Sequence, residues 1–185
     1  MTRKAYTIVE LLVVVGILAI VMAIATPVLL RAKEAAKETK CASNMHQLWE
    51  AMALYRERYG GGPAYGNCYA MGLPSLPKYA TQIEGGLTRE VHTCTGMPSL
   101  GTTQAAYTYM VVPPNWNYPK EAMTQWQAYS QEVGEHMILF VDPNHMAPVF
   151  QDSPYTSKRV QGIYLDGQLK KFVKRGDWSS YEFWK

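Results

Sequence analysis

Hydrophobic and polar positions change their spacing twice along the first sixty residues of this chain. From Leu11 to Leu30, twenty uncharged and mostly apolar residues run without a break. At ~1.5 Å rise per residue they cover about 30 Å as a helix, the thickness of a bilayer's hydrocarbon core. From Arg31 to Glu38 good helix formers alternate with charges, and Glu34 is placed to meet Lys37 favourably and Glu38 unfavourably. Cys41, Met45, Leu48, Met52, Tyr55 and Tyr59 then recur at alternating steps of four and three, which keeps them on one face of a continuing helix. Gly60-Gly61-Gly62-Pro63 ends it. The pattern predicts one helix from Tyr6 to Tyr59, on the order of 80 Å long if unbroken. Its first half needs lipid or copies of itself. Its second half needs a globular domain to cover the apolar face.

Beyond Gly60 the chain is loop-rich, with Pro and Gly at short intervals through Gly101. Strands are predicted over Ala106–Val112, His136–Asp142 and Gly162–Asp166, with Gln168–Val173 returning after a tight turn at Asp166-Gly167. Met123, Trp126 and Val133 suggest a short helix over Lys120–Val133, with Gly134 as its cap. The expected fold class is α+β: a long N-terminal helix laid across a small antiparallel sheet. Pro27, inside the apolar stretch, removes one backbone hydrogen bond and should kink or loosen the helix there.

Glu10 stands at the head of the apolar stretch, five residues after the short basic leader Met1-Thr-Arg-Lys-Ala5. A carboxylate costs roughly 2.5–3.5 kcal/mol at the middle of a membrane helix, so it asks for a partner. A secretory signal would have a shorter apolar core, no acid at its start and a small-x-small site beyond. Ala23-Ile24-Ala25 imitates such a site, but Glu10 does not fit that pattern or a plain anchor. Leader, Tyr6-Thr-Ile-Val-Glu10 and apolar run together resemble the N-terminus of type IV pilins and type II secretion pseudopilins. The resemblance implies a pilin-like fold, cleavage by a prepilin peptidase between Ala5 and Tyr6, and N-methylation of Tyr6. It also implies pairing of Glu10 with the N-terminal ammonium of a neighbouring subunit. Pro27 lies at a depth where such helices often carry proline, whereas Ala5 stands where the family most often has glycine. The implied organisation is leader 1–5, transmembrane and assembly half 6–30, amphipathic half 31–59, and an α+β head 60–185 packed on 41–59. The implied partners are other pilin-like subunits, the peptidase/methyltransferase, an inner-membrane assembly platform and membrane lipid. The head would lie outside the cytoplasm on a single-pass anchor, in a periplasmic or surface filament.

A second, narrower resemblance follows from Cys41-Ala-Ser-Asn44-Met45-His46-Gln47-Leu48, Cys94 before Met97-Pro98, Tyr107-Thr-Tyr109, Met137–Asp142 and Tyr164-Leu-Asp166-Gly167. These are similar to a large pilin-like family whose C-terminal signature is His, nine residues, then Asp-Gly. Thr156 occupies the histidine's position, so the signature is incomplete here.

Charge adds little. The net +3 falls to +1 once Arg3 and Lys4 leave, so no strong electrostatic partner is implied and a nucleic-acid partner is not expected from charge. Basic residues on both sides of the apolar run leave orientation to the pilin resemblance. The odd set Cys41, Cys68 and Cys94 allows three pairings outside the cytoplasm. Cys41–Cys94 would tie the loop-rich segment to the helix. Because Cys41 also serves as a small apolar core residue, Cys68–Cys94 is preferred. His46, His92, His136 and His145 show no metal-ligand spacing, and Asp177 and Glu182 are too sparse for calcium. No catalytic constellation is evident, so no enzyme activity, metal or cofactor is expected. Lys170, Lys171, Lys174 and Arg175 precede Trp178, Tyr181, Phe183 and Trp184. That mix suits a glycan- or nucleic-acid-binding platform on a monomeric membrane tether, the rival function. The preferred account is a solvated hairpin whose rings pack on the sheet or on a neighbouring subunit.

Overall fold

The computed structural model describes residues 7–74, 91, 94, 107–111, 119–143, 158–177 and 179–185. Helix α1 spans Ile8–Arg58, so the apolar and amphipathic stretches form one element. Contacts divide the chain into two compact units between Lys37 and Glu38, and α1 contributes to both. In the first unit, the large apolar side chains from Ile8 to Leu30 are exposed, from 51% at Leu18 to 78% at Ile8. This stretch is long and apolar enough to cross a membrane.

The second unit contains a four-stranded antiparallel meander. Strands β1 (Thr108–Tyr109), β2 (Ile138–Asp142), β3 (Lys158–Tyr164) and β4 (Leu169–Lys174) lie side by side in chain order. Helix α2 (Lys120–Val133) and a 3-10 turn over Gly134–His136 precede β2, and a second 3-10 turn, Tyr181–Trp184, closes the chain. With the long helix, this is the expected α+β, pilin-like fold.

Register sorts the side chains into two faces. Ile138 pairs with Tyr164, but an irregularity at Leu139 sets Phe140 opposite Ile163. Alternation then puts Tyr109, Phe140, Asp142, Gln161 and Lys171 on the face toward α1. There Gln161 Nε2 reaches the carbonyl of Glu38 at 3.5 Å, and Lys171 reaches its carboxylate at 3.7 Å. Ile138, Val160, Gly162, Tyr164 and Phe172 face the C-terminal turn. The Tyr164 hydroxyl donates to the Trp184 carbonyl at 3.1 Å, and the ring of Phe172 meets those of Phe183 and Trp184 edge-on. Covered on both sides, β2 is buried along its whole length.

The apolar stripe on α1 packs as its spacing predicts for Cys41, Met45, Leu48 and Met52, all at most 1% exposed. Tyr55 is half-buried, and Tyr59, half exposed, stacks on it at 4.4 Å. Helix α2 matches its predicted bounds, and Gly134 caps it with φ +60°. The Asp166-Gly167 turn forms, closed by Gly167 N–H to the Tyr164 carbonyl at 3.0 Å, with φ +83° at Gly167.

Three strand expectations need correction. The third strand begins at Lys158 rather than Gly162, because Arg159 and Gln161 point at α1 and find polar partners there. The first is two residues long among the described ones; Ala106 and Val112 lie outside them. The second starts at Ile138, since Gly134–His136 turns before the sheet is reached.

Gly162 holds the sheet and the C-terminal turn in contact. A Cβ there would meet Ile138 Cδ1 at 2.5 Å and the Trp184 ring at 2.6 Å. Gly162→Ala therefore overpacks the core and should cost about 1–3 kcal/mol in denaturant unfolding of the head. An unchanged midpoint would contradict this packing.

Burial also sets an alkaline limit. It pushes the Tyr129 phenol up to about 12, and raises Tyr107 and Tyr164 still further. An unfolded chain ionises these groups near pH 10. Their contribution is thus complete below about pH 10 and is lost as pH rises toward 12 and beyond. Tyrosinate absorbance and circular dichroism should change together in that window. Early ionisation of these phenols without loss of structure would be the contrary result.

Candidate functional site

The polar group at the mouth of the apolar helix is not alone. Glu10 Oε2 accepts the Thr7 backbone N–H at 2.8 Å and the Thr7 hydroxyl at 2.9 Å, and Thr7 Oγ1 lies 3.3 Å from the Glu10 N–H. Leu11 N–H completes the turn on the Thr7 carbonyl at 3.2 Å. This is a capping box, with Thr7 at the N-cap and Glu10 three residues on. Thr7 gives Glu10 neutral donors but not the opposite charge that the carboxylate asks for. The Thr-x-x-Glu spacing that identifies the box was present at 7–10.

Pro27 sits inside α1. Its ring nitrogen cannot donate to the Ala23 carbonyl four residues back. One residue earlier, the Thr26 hydroxyl donates to the Met22 carbonyl at 2.7 Å, a local bond that tends to bend helices. Ala5 and Tyr6 lie outside the described residues.

In the second unit the cysteines are not arranged as preferred from sequence. Cys94 Sγ stands 2.6 Å from Cys41 Sγ, and both residues are buried. Cys68 is buried separately, in a turn held by Asn67 Oδ1, which accepts the N–H groups of Tyr69 and Ala70. Cys41 lies on the buried stripe of α1, and Cys94, ahead of β1, reaches it there. Asp142 is close enough that the three ligand atoms fall within 4.8 Å of one another, a grouping the sequence spacing did not suggest. Asp142 also accepts a hydrogen bond from Gln161 Nε2 at 3.0 Å.

Asp166 has an imidazole partner despite Thr156. His136 Nδ1, from the 3-10 turn before β2, lies 2.7 Å from Asp166 Oδ2. Thr156, His92 and His145 lie outside the described residues. As in the preferred account of the C-terminal rings, Phe183 and Trp184 pack on the sheet, 5% and 2% exposed, so their faces are spent on the core rather than on a base or a sugar. Lys170 and Lys174 lie over the Tyr164 and Phe172 rings at 4.6 and 5.0 Å.

A family model described as the prokaryotic N-terminal methylation motif matches residues 1–26. No curated protein and no solved structure matches the chain. The chain is therefore prepilin-like: a prepilin-type methylation motif runs into a long apolar helix, which leads to a pilin-like α+β head. The match contains Ala5, Tyr6 and Glu10, and Pro27 lies one residue past its end. Such a motif implies processing by a prepilin peptidase, membrane anchoring and association with pilin subunits, and it points to a structural role.

The capping box makes a local prediction. Thr7→Ala removes both side-chain bonds at the N-cap, worth ~1 kcal/mol. Amide exchange over Ile8–Leu12 in detergent should accelerate about five-fold, while exchange in the head stays unchanged. No acceleration would show that the cap contributes nothing there.

Proposed function

We propose that this chain is a structural subunit of a type IV pilus-like or type II secretion pseudopilus-like filament. It is made as a membrane-anchored prepilin, cut between Ala5 and Tyr6, methylated on Tyr6, and assembled through its N-terminal helix. The observation that carries this reading is one acid at the mouth of an apolar helix that its own chain leaves exposed, inside a matched methylation motif. A soluble monomer rarely exposes a continuous apolar surface of this extent, so lipid must cover it before assembly and neighbouring helices after it. Between those helices Glu10 meets the ammonium that cleavage creates on an adjacent Tyr6. Two opposite charges in low dielectric offset each other's desolvation only when they touch.

In this scheme the anchor sits in the cytoplasmic membrane and the head lies outside the cytoplasm. The partners are other pilin-like subunits, the peptidase/methyltransferase and an inner-membrane assembly platform. Pro27 softens the helix so that its N-terminal part can adjust as subunits pack. No enzymatic step is assigned.

Intact-mass and N-terminal analysis tests the processing, and Glu10 variants test the assembly. The mature chain should begin with methylated Tyr6. Glu10→Ala should still insert in the membrane but be lost from sheared filaments by at least about ten-fold, the loss of a buried charge partner. Thr7→Ala, which spoils only the cap, should incorporate normally. A chain that keeps Met1–Ala5 and stays monomeric would instead fit the tethered binding module. Normal incorporation of Glu10→Ala would remove the charge-pairing step.

A further inference from the structure

We propose that Cys41 and Cys94 form a disulfide that fastens the segment ahead of β1 to helix α1. Their sulfurs face each other at 2.6 Å, well inside the separation at which two unbonded sulfurs rest. Both side chains are buried, Cys41 at 0% and Cys94 at 5% exposure, so the pair is shielded from reductants once formed. The surroundings hold Cys41 in place: the Tyr107 hydroxyl donates to its backbone carbonyl at 3.3 Å.

A metal is the competing use of this cluster, since Asp142 supplies a third ligand atom nearby. Two thiolates bound at ~2.3 Å to one tetrahedral zinc stand about 3.7 Å apart. The observed approach of the sulfurs is much closer than that. Asp142, moreover, is engaged by Gln161. Cys68 does not compete for either sulfur. It is fully buried in its own turn, and burial pushes its thiol up to about 11, which keeps it protonated and a poor nucleophile.

The bond forms by thiol–disulfide exchange. The thiolate of one cysteine attacks a disulfide-bearing oxidant, protein or glutathione, and the other cysteine displaces the oxidant's sulfur from the mixed disulfide. The two cysteines give up two electrons and two protons, and the oxidant leaves as two thiols. Its occurrence in the cell rests on the proposed extracytoplasmic position of the head, where such oxidants act. The link closes a loop spanning a sequence separation of 53 residues, which includes the helix end at Gly60 and the Cys68 turn.

The test uses the full chain in detergent, unfolded with reductant, refolded in a glutathione redox buffer, alkylated and digested. The expected product is a Cys41 peptide joined to a Cys94 peptide, with Cys68 alkylated and no stoichiometric zinc. Reduction should lower the Tm of the head by about 8–16 °C, the loop-closure effect for a link of this length. The double variant Cys41→Ala, Cys94→Ala should melt at the lower temperature with or without reductant. Cys68→Ala should leave the linked peptide in place. A Cys68 cross-link, three alkylated thiols, or one zinc per chain would each overturn the proposal. None of these steps requires leader cleavage or a filament, so failure here leaves the filament reading standing, and the reverse also holds.

Discussion

The apolar first half of α1 meets a demand that its own chain does not answer. From Ile8 to Leu30 none of its large apolar side chains is covered. At roughly 25 cal/mol per Å² such surface is driven out of water by many kcal/mol in sum, so its surroundings must be lipid or protein. The matched methylation motif lies over this stretch. Anchoring is therefore a property of the first unit, and it places few requirements on the fold of the second.

The second unit answers a different demand, that of a helix apolar on one face. It grips α1 at three heights. At Glu38, whose side chain is 16% exposed, Arg159 and Lys171 approach from β3 and β4 at 2.9 and 3.7 Å. At Trp49, the indole N–H donates to the Leu165 carbonyl at 2.9 Å, and the ring lies where a Cβ on Gly167 would be, at 2.7 Å. At Arg56, the guanidinium bonds the Met71 carbonyl at 3.0 Å and forks onto Glu135 at 3.1 and 3.3 Å, where Tyr65 also donates. These points span about 27 Å of helix. Polar contacts at both ends fix rotation and register, and the apolar stripe between them, Cys41, Met45, Leu48 and Met52, is fully buried. Exposed ion pairs are worth little each, so it is the partly buried Glu38 and the forked Arg56 that matter for orientation.

Periodicity made the helix legible from sequence, along with its change of character, the stripe from Cys41 to Met52, α2 and the Asp166-Gly167 turn. Each of these is a local signal: spacing along one element, or a turn residue with a required φ. What escaped was non-local. Lys158-Arg159-Val160-Gln161 reads as polar linker until the chain brings Glu38 opposite it. Trp49 lies off the apolar stripe and gives no sign that a glycine 118 residues later will receive its ring. Cys41 looked like a core residue, which it is, and its neighbour Cys94 is reached only through the sheet. The Thr7–Glu10 box is different. Its signal is local, a Thr-x-x-Glu spacing ahead of an apolar run, and the same carboxylate serves as both a charge and a cap.

That double role bears on how an acid can sit beside lipid at all. A carboxylate offers about four acceptor sites, and at Glu10 both Thr7 bonds fall on Oε2. Among the described residues, Oε1 takes no hydrogen bond. In the free subunit the cap therefore lowers the cost of holding the charge near the interface without using all of its capacity. An ammonium from a neighbouring chain, as proposed, could add to Oε1 while the cap persists, so the proposed pairing need not first break the turn. Capping and the proposed intersubunit pairing are then complementary: Thr7 supplies neutral donors to one carboxylate oxygen, and the proposed partner would supply the opposite charge that Thr7 lacks. A helix with an acid here but alanine at position 7 would lose the cap and keep both the charge and the oxygen that the proposed partner would meet.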